Sequence, residues 1–349
     1  MKKFKRIVAL VFTLALVFIT GCEKSNASKI NITQELSGAT NVFVENIYTE
    51  FKANAEKEFL IPALKQGFVP QGMDIWQDKN LAVISGYFES NDEIPSSMIV
   101  TVDLATNNLV GKYCLINMDG SFHTSHVGGV TITQKNLYLS NGSTLYKISL
   151  SQIESKNNVG DLKIEETFKT ATKGSFCNYS GGYLWVGDFY YNSQAYQTPE
   201  WRHILNSDGT THKAWAVGYK LNQSGELEYD GTSDYVVPDV VLSITDKIQS
   251  FTMSDDKIYL SQSYGSAYES SILSYNNVLK QDNDLTVNLL GVDVPLWYLD
   301  TNDLVKDLKA PPMSEGISIC NNRLYILFES GATKFLRNNS TDYVWSIPL

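Results

Sequence analysis

The chain has 349 residues, 43% of them hydrophobic, and its 20 Tyr and 15 Phe suit a globular body built of β-structure. Its 28 Lys and Arg face 38 Asp and Glu, a net charge of −10, and four of those cations fall within the first six residues. A body this acidic repels phosphate backbones, which argues against nucleic acid as a partner, and a monomer is expected.

At the N-terminus, the basic stretch 1–6 is followed by an apolar run, 7–19, relieved only by Thr13, and then by Thr20-Gly21-Cys22. The run is too short to cross a bilayer comfortably and is flanked like a signal peptide. Small residues directly before a cysteine match the bacterial lipobox, so residues 1–21 resemble a lipoprotein signal peptide with Cys22 as the lipidated residue. The resemblance implies a membrane-anchored, extracytoplasmic lipoprotein of the cell envelope, and an ordinary secretory leader would also place the body outside the cytoplasm. Three further cysteines remain, Cys114, Cys177 and Cys320, an odd number without CxxC or zinc spacing, and they read as buried free thiols.

Residues 22–56 read as the lipidated Cys and a flexible tether: 23–40 is polar and lacks apolar periodicity, and 42–56 suits a short helix or irregular segment. From residue 57 onward one pattern recurs five times. A small residue opens an apolar/other/apolar stretch, a polar turn follows, and then a second apolar run. The copies open at Gly72, Gly129, Ser175, Ser250 and Gly316, and their second runs begin at Leu81, Leu137, Leu184, Ile258 and Leu324. Such a repeat predicts an all-β fold, a β-propeller of five blades over 57–349; six blades with one degenerate copy is the alternative. Blade two shows the four strands compactly, at 130–133, 137–140, 144–150 and 165–170. The final copy supplies strands at 317–320, 323–328 and 343–349 and then the chain stops, so its outer strand is expected from 57–62, completing the last blade from the N-terminal side.

In a propeller the start of each inner strand and the end of the next emerge on one face. Gln71, His126, Lys173, Gln249 and Glu315 precede or open the inner strands, and Tyr87, Asn141, Asp188, Tyr264 and Glu329 follow the second ones. Both sets should collar the mouth of the central channel, as polar groups converge in a small-ligand site. The long connection 189–201 adds Tyr190 and Trp201 among amides, rings suited to stacking on a sugar or gripping a peptide. Two positions break the repeat. Asn178 stands where other copies have Ile75, Ile132, Met253 or Ile319, and Asp74 is the only charge at a position otherwise held by Thr131, Cys177, Thr252 and Ser318. Either could ligate a cation, orient a substrate or satisfy a neighbouring backbone group. Glu315 with Asp188 or Glu329 could hold Ca²⁺ through oxygens, the one cofactor considered. His126 beside a carboxylate has the make-up of a general acid or base. No GxSxG elbow, P-loop or HExxH is present.

The stretches 126–129, 174–176, 184–188, 313–316 and 324–331 are similar to a group of secreted bacterial β-propeller proteins with no assigned activity, which implies fold and export but no catalytic residue. A looser likeness, local to Glu315-Gly316, is to lactonase and strictosidine-synthase-type propellers, whose inner-strand acidic residues bind a metal. Two functions follow as expectations. The first is an anchored binding or interaction module for an envelope saccharide, peptide or protein. Its ligand residues would be Gln71, Tyr87, His126, Asn178, Gln249, Tyr264, Tyr190 and Trp201. The second is a hydrolase or lyase, with or without Ca²⁺, using His126 with Glu315, Asp188 or Glu329.

Overall fold

A computed structural model describes residues 25–41, 47–89, 96–229 and 231–349; the leader, Cys22 and part of the expected 42–56 segment lie outside them. Five sheets stand in a ring, so the protein is a five-bladed β-propeller. The four strands of blade two are Gly129–Ile132, Asn136–Asn141, Thr144–Ser149 and Glu166–Lys169, within a residue or two of the expected bounds. Blade five takes Ser314–Cys320, Arg323–Phe328 and Tyr343–Pro348 from the C-terminus and Glu56–Leu60 from the N-terminal side. That closing strand runs antiparallel to the last one, with Glu56 opposite Ser346 and Lys57 opposite Trp345, as the missing fourth strand required.

The long repeat intervals are insertions, not lost blades. After the third strand of blade two the chain reaches back and adds Val159–Lys163, in parallel, to the outer strand of blade one, Asn108–Ile116. After the third strand of blade four, Ser270–Asn276, the hairpin of Leu285–Leu289 and Val292–Tyr298 does the same to Val240–Ile244 of blade three. Both excursions cover an outer edge that would otherwise present unpaired backbone groups.

Alternation of side chains across each strand sends one set to the preceding blade and the other to the next. Five apolar clusters result, one between each pair of neighbouring blades. Between blades three and four, for example, the rings of Trp185 and Phe251 stand 4.8 Å apart. Cys114, Cys177 and Cys320 are buried free thiols within these interfaces. Burial pushes the Cys114 and Cys177 thiols up to about 12, so both stay protonated and inert.

The inner strands meet backbone to backbone. A Cβ on Gly129 would stand 2.1 Å from the Cys177 nitrogen, and one on Gly316 would stand 2.3 Å from the Met73 nitrogen. At the same position of blade four, Ser250 turns its Oγ to accept from the Ile317 N–H of blade five at 3.2 Å. The small residue of the repeat is therefore required by the approach of the next blade.

The N-terminal segment departs from expectation. Residues 25–41, read as flexible tether, lie against the body. Backbone nitrogens of Asn26 and Ala27 and the Asn26 amide donate to the Asp161 carboxylate at 2.9–3.1 Å, Lys112 donates to the Ile30 carbonyl, and Ile30 and Ile32 are buried. The Gln34 side chain accepts from the Leu109 N–H at 2.7 Å, and Ser37 and Asn41 donate to Asp342. Two isoleucines amid Asn, Ser and Lys give no period, but the partners waiting on blade one and on the 340s give them somewhere to bind. In the segment beyond, expected as a short helix or irregular, Thr49–Asn54 forms a short helix.

Closure through backbone approach makes a definite prediction. Gly129→Ala must push apart two main chains that cannot rotate away, so its unfolding midpoint in urea should fall by the equivalent of about 1–3 kcal/mol or more. An unchanged midpoint would show that neighbouring inner strands separate at no cost.

Candidate functional site

The mouth is built by a device repeated around the ring. Pairing between the first two strands slips by one residue between Pro70 and Gly72 in blade one, between Ile248 and Ser250 in blade four, and between Ser314 and Ile317 in blade five. The extra residues are Gln71 and Gln249 and, in blade five, one of the pair Glu315-Gly316. A β-bulge leaves a residue outside the ladder and re-aims its side chain, and here Gln71, Gln249 and Glu315 all line the mouth cavity. Just upstream the chain must turn from the outer strand of one blade into the centre of the next. Left-handed residues make that turn at Val127, Gly174, Lys247 and Met313, with φ of 47°, 61°, 63° and 63°. For β-branched Val127 this is a strained conformation, held beside His126.

The cavity encloses about 520 Å³, within the range of small-molecule sites. Eight of the ten expected collar residues line it: Gln71, Tyr87, His126, Asn141, Gln249, Tyr264, Glu315 and Glu329. Phe189, Tyr196 and Phe335 complete an aromatic wall. Phe189 meets Tyr196 edge-on at 5.2 Å, and Tyr264 is stacked on Tyr191 at 4.0 Å. Opposite, the His126 and Tyr87 rings lie 4.3 Å apart, and Lys334 donates to the Tyr87 hydroxyl at 2.6 Å.

At the floor stand two carboxyl groups. Glu315 and Glu329 face one another, both are buried, and the Gln71 amide donates to Glu329 Oε2 at 2.7 Å. Burial, reinforced by the neighbouring Glu329, holds Glu315 well above the usual carboxylate range. Glu329 is raised to about 7, chiefly by burial, with the Gln71 and Glu315 hydrogen bonds and Lys334 working the other way. Two carboxyls this close cannot both ionise, so they share a proton near neutrality. Burial and Lys334 together keep the His126 imidazole below its ordinary value, and therefore neutral at pH 7.

Five expectations fail here. Lys173 does not line the cavity; its side chain donates to the Ala195 carbonyl at 3.4 Å. Asp188 does not face the mouth: it is wholly buried and accepts from the Lys173 and Trp215 N–H groups at 2.6 and 3.2 Å and from Arg202 at 3.3 Å. It cannot share a metal with Glu315, and among the described residues no three His, Cys, Asp or Glu side chains cluster together. Its partner Arg202 lies fourteen residues on, in a connection whose path no local pattern reveals. Asn178 lies at the far end of the channel, at a position equivalent to Ile75 and four residues further along the inner strand than Gln71. Tyr190 turns inward, buried against the blade three–four cluster with its ring 5.9 Å from that of His203. Trp201 is exposed but stacks edge-on against Trp215, 5.4 Å away, and takes no part in the mouth. Conversely Phe335 and Lys334 went unmarked. They belong to the connection 329–342 of blade five, whose only sequence signal is its length.

No family model matches the sequence, and no curated protein sequence matches it. Among solved structures, similarity of fold extends to hydrazine synthase of Kuenenia stuttgartiensis, at 8% identity and a TM-score of 0.35. The chain is covered over 74% of its length there and spans 55% of that protein. Glutaminyl cyclase of Myxococcus xanthus is similar at 12% identity and a TM-score of 0.37, over 84% of this chain and 92% of that one. A protein of Thermus thermophilus described as an oxidoreductase (glucose dehydrogenase) is similar at 8% identity and a TM-score of 0.40, over 84% of this chain and 99% of that one.

The carboxyl pair has a measurable signature. The folded protein holds protons there that the unfolded chain releases between about 4.5 and about 7, so this contribution to stability is full below that range and is lost as pH rises through it. Glu315→Gln keeps the shape and removes the shared proton. Relative to wild type, its unfolding free energy should rise between pH 5 and 8. Parallel profiles for the two proteins would mean that Glu315 does not hold its proton above the ordinary carboxylate range.

Proposed function

We propose that the protein is an extracytoplasmic binding module, anchored through Cys22, that takes the end of a saccharide or peptide chain into the mouth of its propeller. One observation supports this above the rest: polar side chains re-aimed by bulges meet a wall of flat rings around a cavity of about 520 Å³. Aromatic faces stack on sugar rings and peptide planes, while Gln71, Gln249 and the carboxyl pair offer both donors and acceptors for hydroxyl and amide groups. No helix among the described residues is long and apolar enough to cross a membrane, so the anchor in this reading is the lipid on Cys22. Only three residues separate that cysteine from Asn26, docked on blade one, a reach of at most about 14 Å. The propeller would then sit close against the bilayer by its blade-one side.

A second reading, hydrolysis or elimination at the same place, draws on the carboxyl pair itself. A group with a pKa of about 7 beside a protonated neighbour has the make-up of a general acid–base couple.

Screening the protein against saccharide and peptide arrays tests the binding reading. Ligands found there should bind at least about tenfold more weakly to Tyr264→Ala and to Glu329→Ala, a loss of about 1.4 kcal/mol or more. Affinities unchanged in both variants would remove the mouth from the binding site. Turnover of a bound ligand that Glu315→Gln abolishes would decide for catalysis. Acyl labelling in cells that Cys22→Ser fails to abolish would refute the anchor.

A further inference from the structure

The channel has a second end that the mouth does not use. There Asp74, Asn178, Thr252 and Ser318 line a separate cavity of about 510 Å³ together with Trp76. Asp74 is buried, and its carboxylate is held by four donors. Ser318 Oγ and the Ile75 N–H reach Oδ1 at 2.8 Å, while Thr131 Oγ1 and the Ile132 N–H reach Oδ2 at 2.7 and 2.8 Å. Four hydrogen bonds favour the anion, yet no cationic side chain among the described residues acts on it, and burial alone pushes its pKa up. Such a charge ordinarily has a positive partner.

Asn178 supplies an independent observation. It is only 2% exposed, and its Oδ1 is buried with no hydrogen-bond partner. An orphaned buried acceptor calls for an unseen donor or ion. Ser318, having donated its proton to Asp74, presents lone pairs, and Thr252 adds a hydroxyl at the same level of the neighbouring blade. Cys177, which occupies the equivalent position in blade three, has its thiol turned to the Tyr138 carbonyl at 3.6 Å and pushed up to about 12, so no thiolate competes.

We propose that this far end of the channel binds a hard divalent cation, Ca²⁺, through the oxygens of Asp74, Asn178, Thr252 and Ser318. A donor set of oxygens alone selects a hard ion, and Ca²⁺ tolerates an irregular, partly hydrated shell where Mg²⁺ demands an octahedron. With a single carboxylate the affinity falls among the weaker Ca²⁺ sites, a Kd of roughly 10⁻⁴–10⁻³ M. The ion would bridge blades one, three, four and five across the axis, a structural role separate from the mouth.

Terbium luminescence excited through tryptophan tests this, because Trp76 lines the same cavity. The wild-type protein should sensitise Tb³⁺ emission, and millimolar Ca²⁺ should quench it by displacement. Asn178→Ala removes a side chain whose oxygen has no hydrogen-bond partner in the fold, so the variant should fold and lose most of the emission. Asp74→Asn should lose it as well, while Glu315→Gln, which alters the mouth, should leave it unchanged. Calcium at 10 mM should raise the melting temperature of wild type by a few degrees and that of Asn178→Ala by less. Emission that survives in folded Asn178→Ala, or disappears in Glu315→Gln, would overturn the site. So would a wild-type protein indifferent to both ions, which would leave only water at the far end.

Discussion

Everything in this fold depends on the distance at which five inner strands can meet. Where Gly129 and Gly316 face the next blade, main chain packs on main chain, and a single methyl would stand 2.1–2.3 Å from a backbone nitrogen. That approach sets the width of the channel and the size of the ring. It also explains the bulges and left-handed residues at the mouth. A chain entering so crowded a centre from an outer edge must turn sharply, and the slipped residue is the one free to point at the axis. Gln71, Gln249 and Glu315 thus owe their placement to the same constraint that makes their neighbours Gly or Ser. Closure of the ring by Glu56–Leu60 on Tyr343–Pro348 makes the constraint cooperative, since no blade can drift outward without parting the two ends of the chain.

The architecture was legible because its cause is local and periodic. A small residue followed by alternating apolar ones recurs wherever an inner strand begins, and the last blade lacked one strand that only residues near Phe59 could supply. The collar was legible for the same reason: position within the repeat determines which face a residue reaches. What stayed hidden depends on partners distant in sequence. Asp188 occupies a collar position, but Arg202 draws it into a buried pair. Tyr190 and Trp201 sit on a connection that folds back on blade three, so aromatic density there reported packing, not recognition. In residues 25–41, two isoleucines were too few to reveal that Asp161, Lys112 and Asp342 hold the segment down.

Asn178 shows the limit of such reasoning from the other side. The break it makes in the apolar pattern is plain in the sequence, and the residue is indeed buried and polar. Strand depth keeps it from the mouth. Gln71 opens the inner strand of blade one, whereas Asn178 is equivalent to Ile75, four residues further along. At about 3.3 Å per residue that separation carries it most of the way through the sheet. The same geometry separates Asp74 from Glu315, so the two acidic groups nearest the axis belong to different ends.

The two ends handle buried negative charge in opposite ways. At the mouth, Glu315 and Glu329 avoid the cost by keeping a proton between them, and only Gln71 orients the pair. At the far end, Asp74 receives four hydrogen bonds that favour the anion against the burial that raises its pKa, and no cationic side chain among the described residues acts on it. A protonated pair is a poor site for a metal but a good one for a neutral ligand, because it can donate and accept in the same plane. A carboxylate whose hydrogen bonds favour the anion is the reverse: its field is best used on a cation. On the two proposals made above, the carboxyls divide the labour along the axis, recognition at the mouth and a structural tie at the far end.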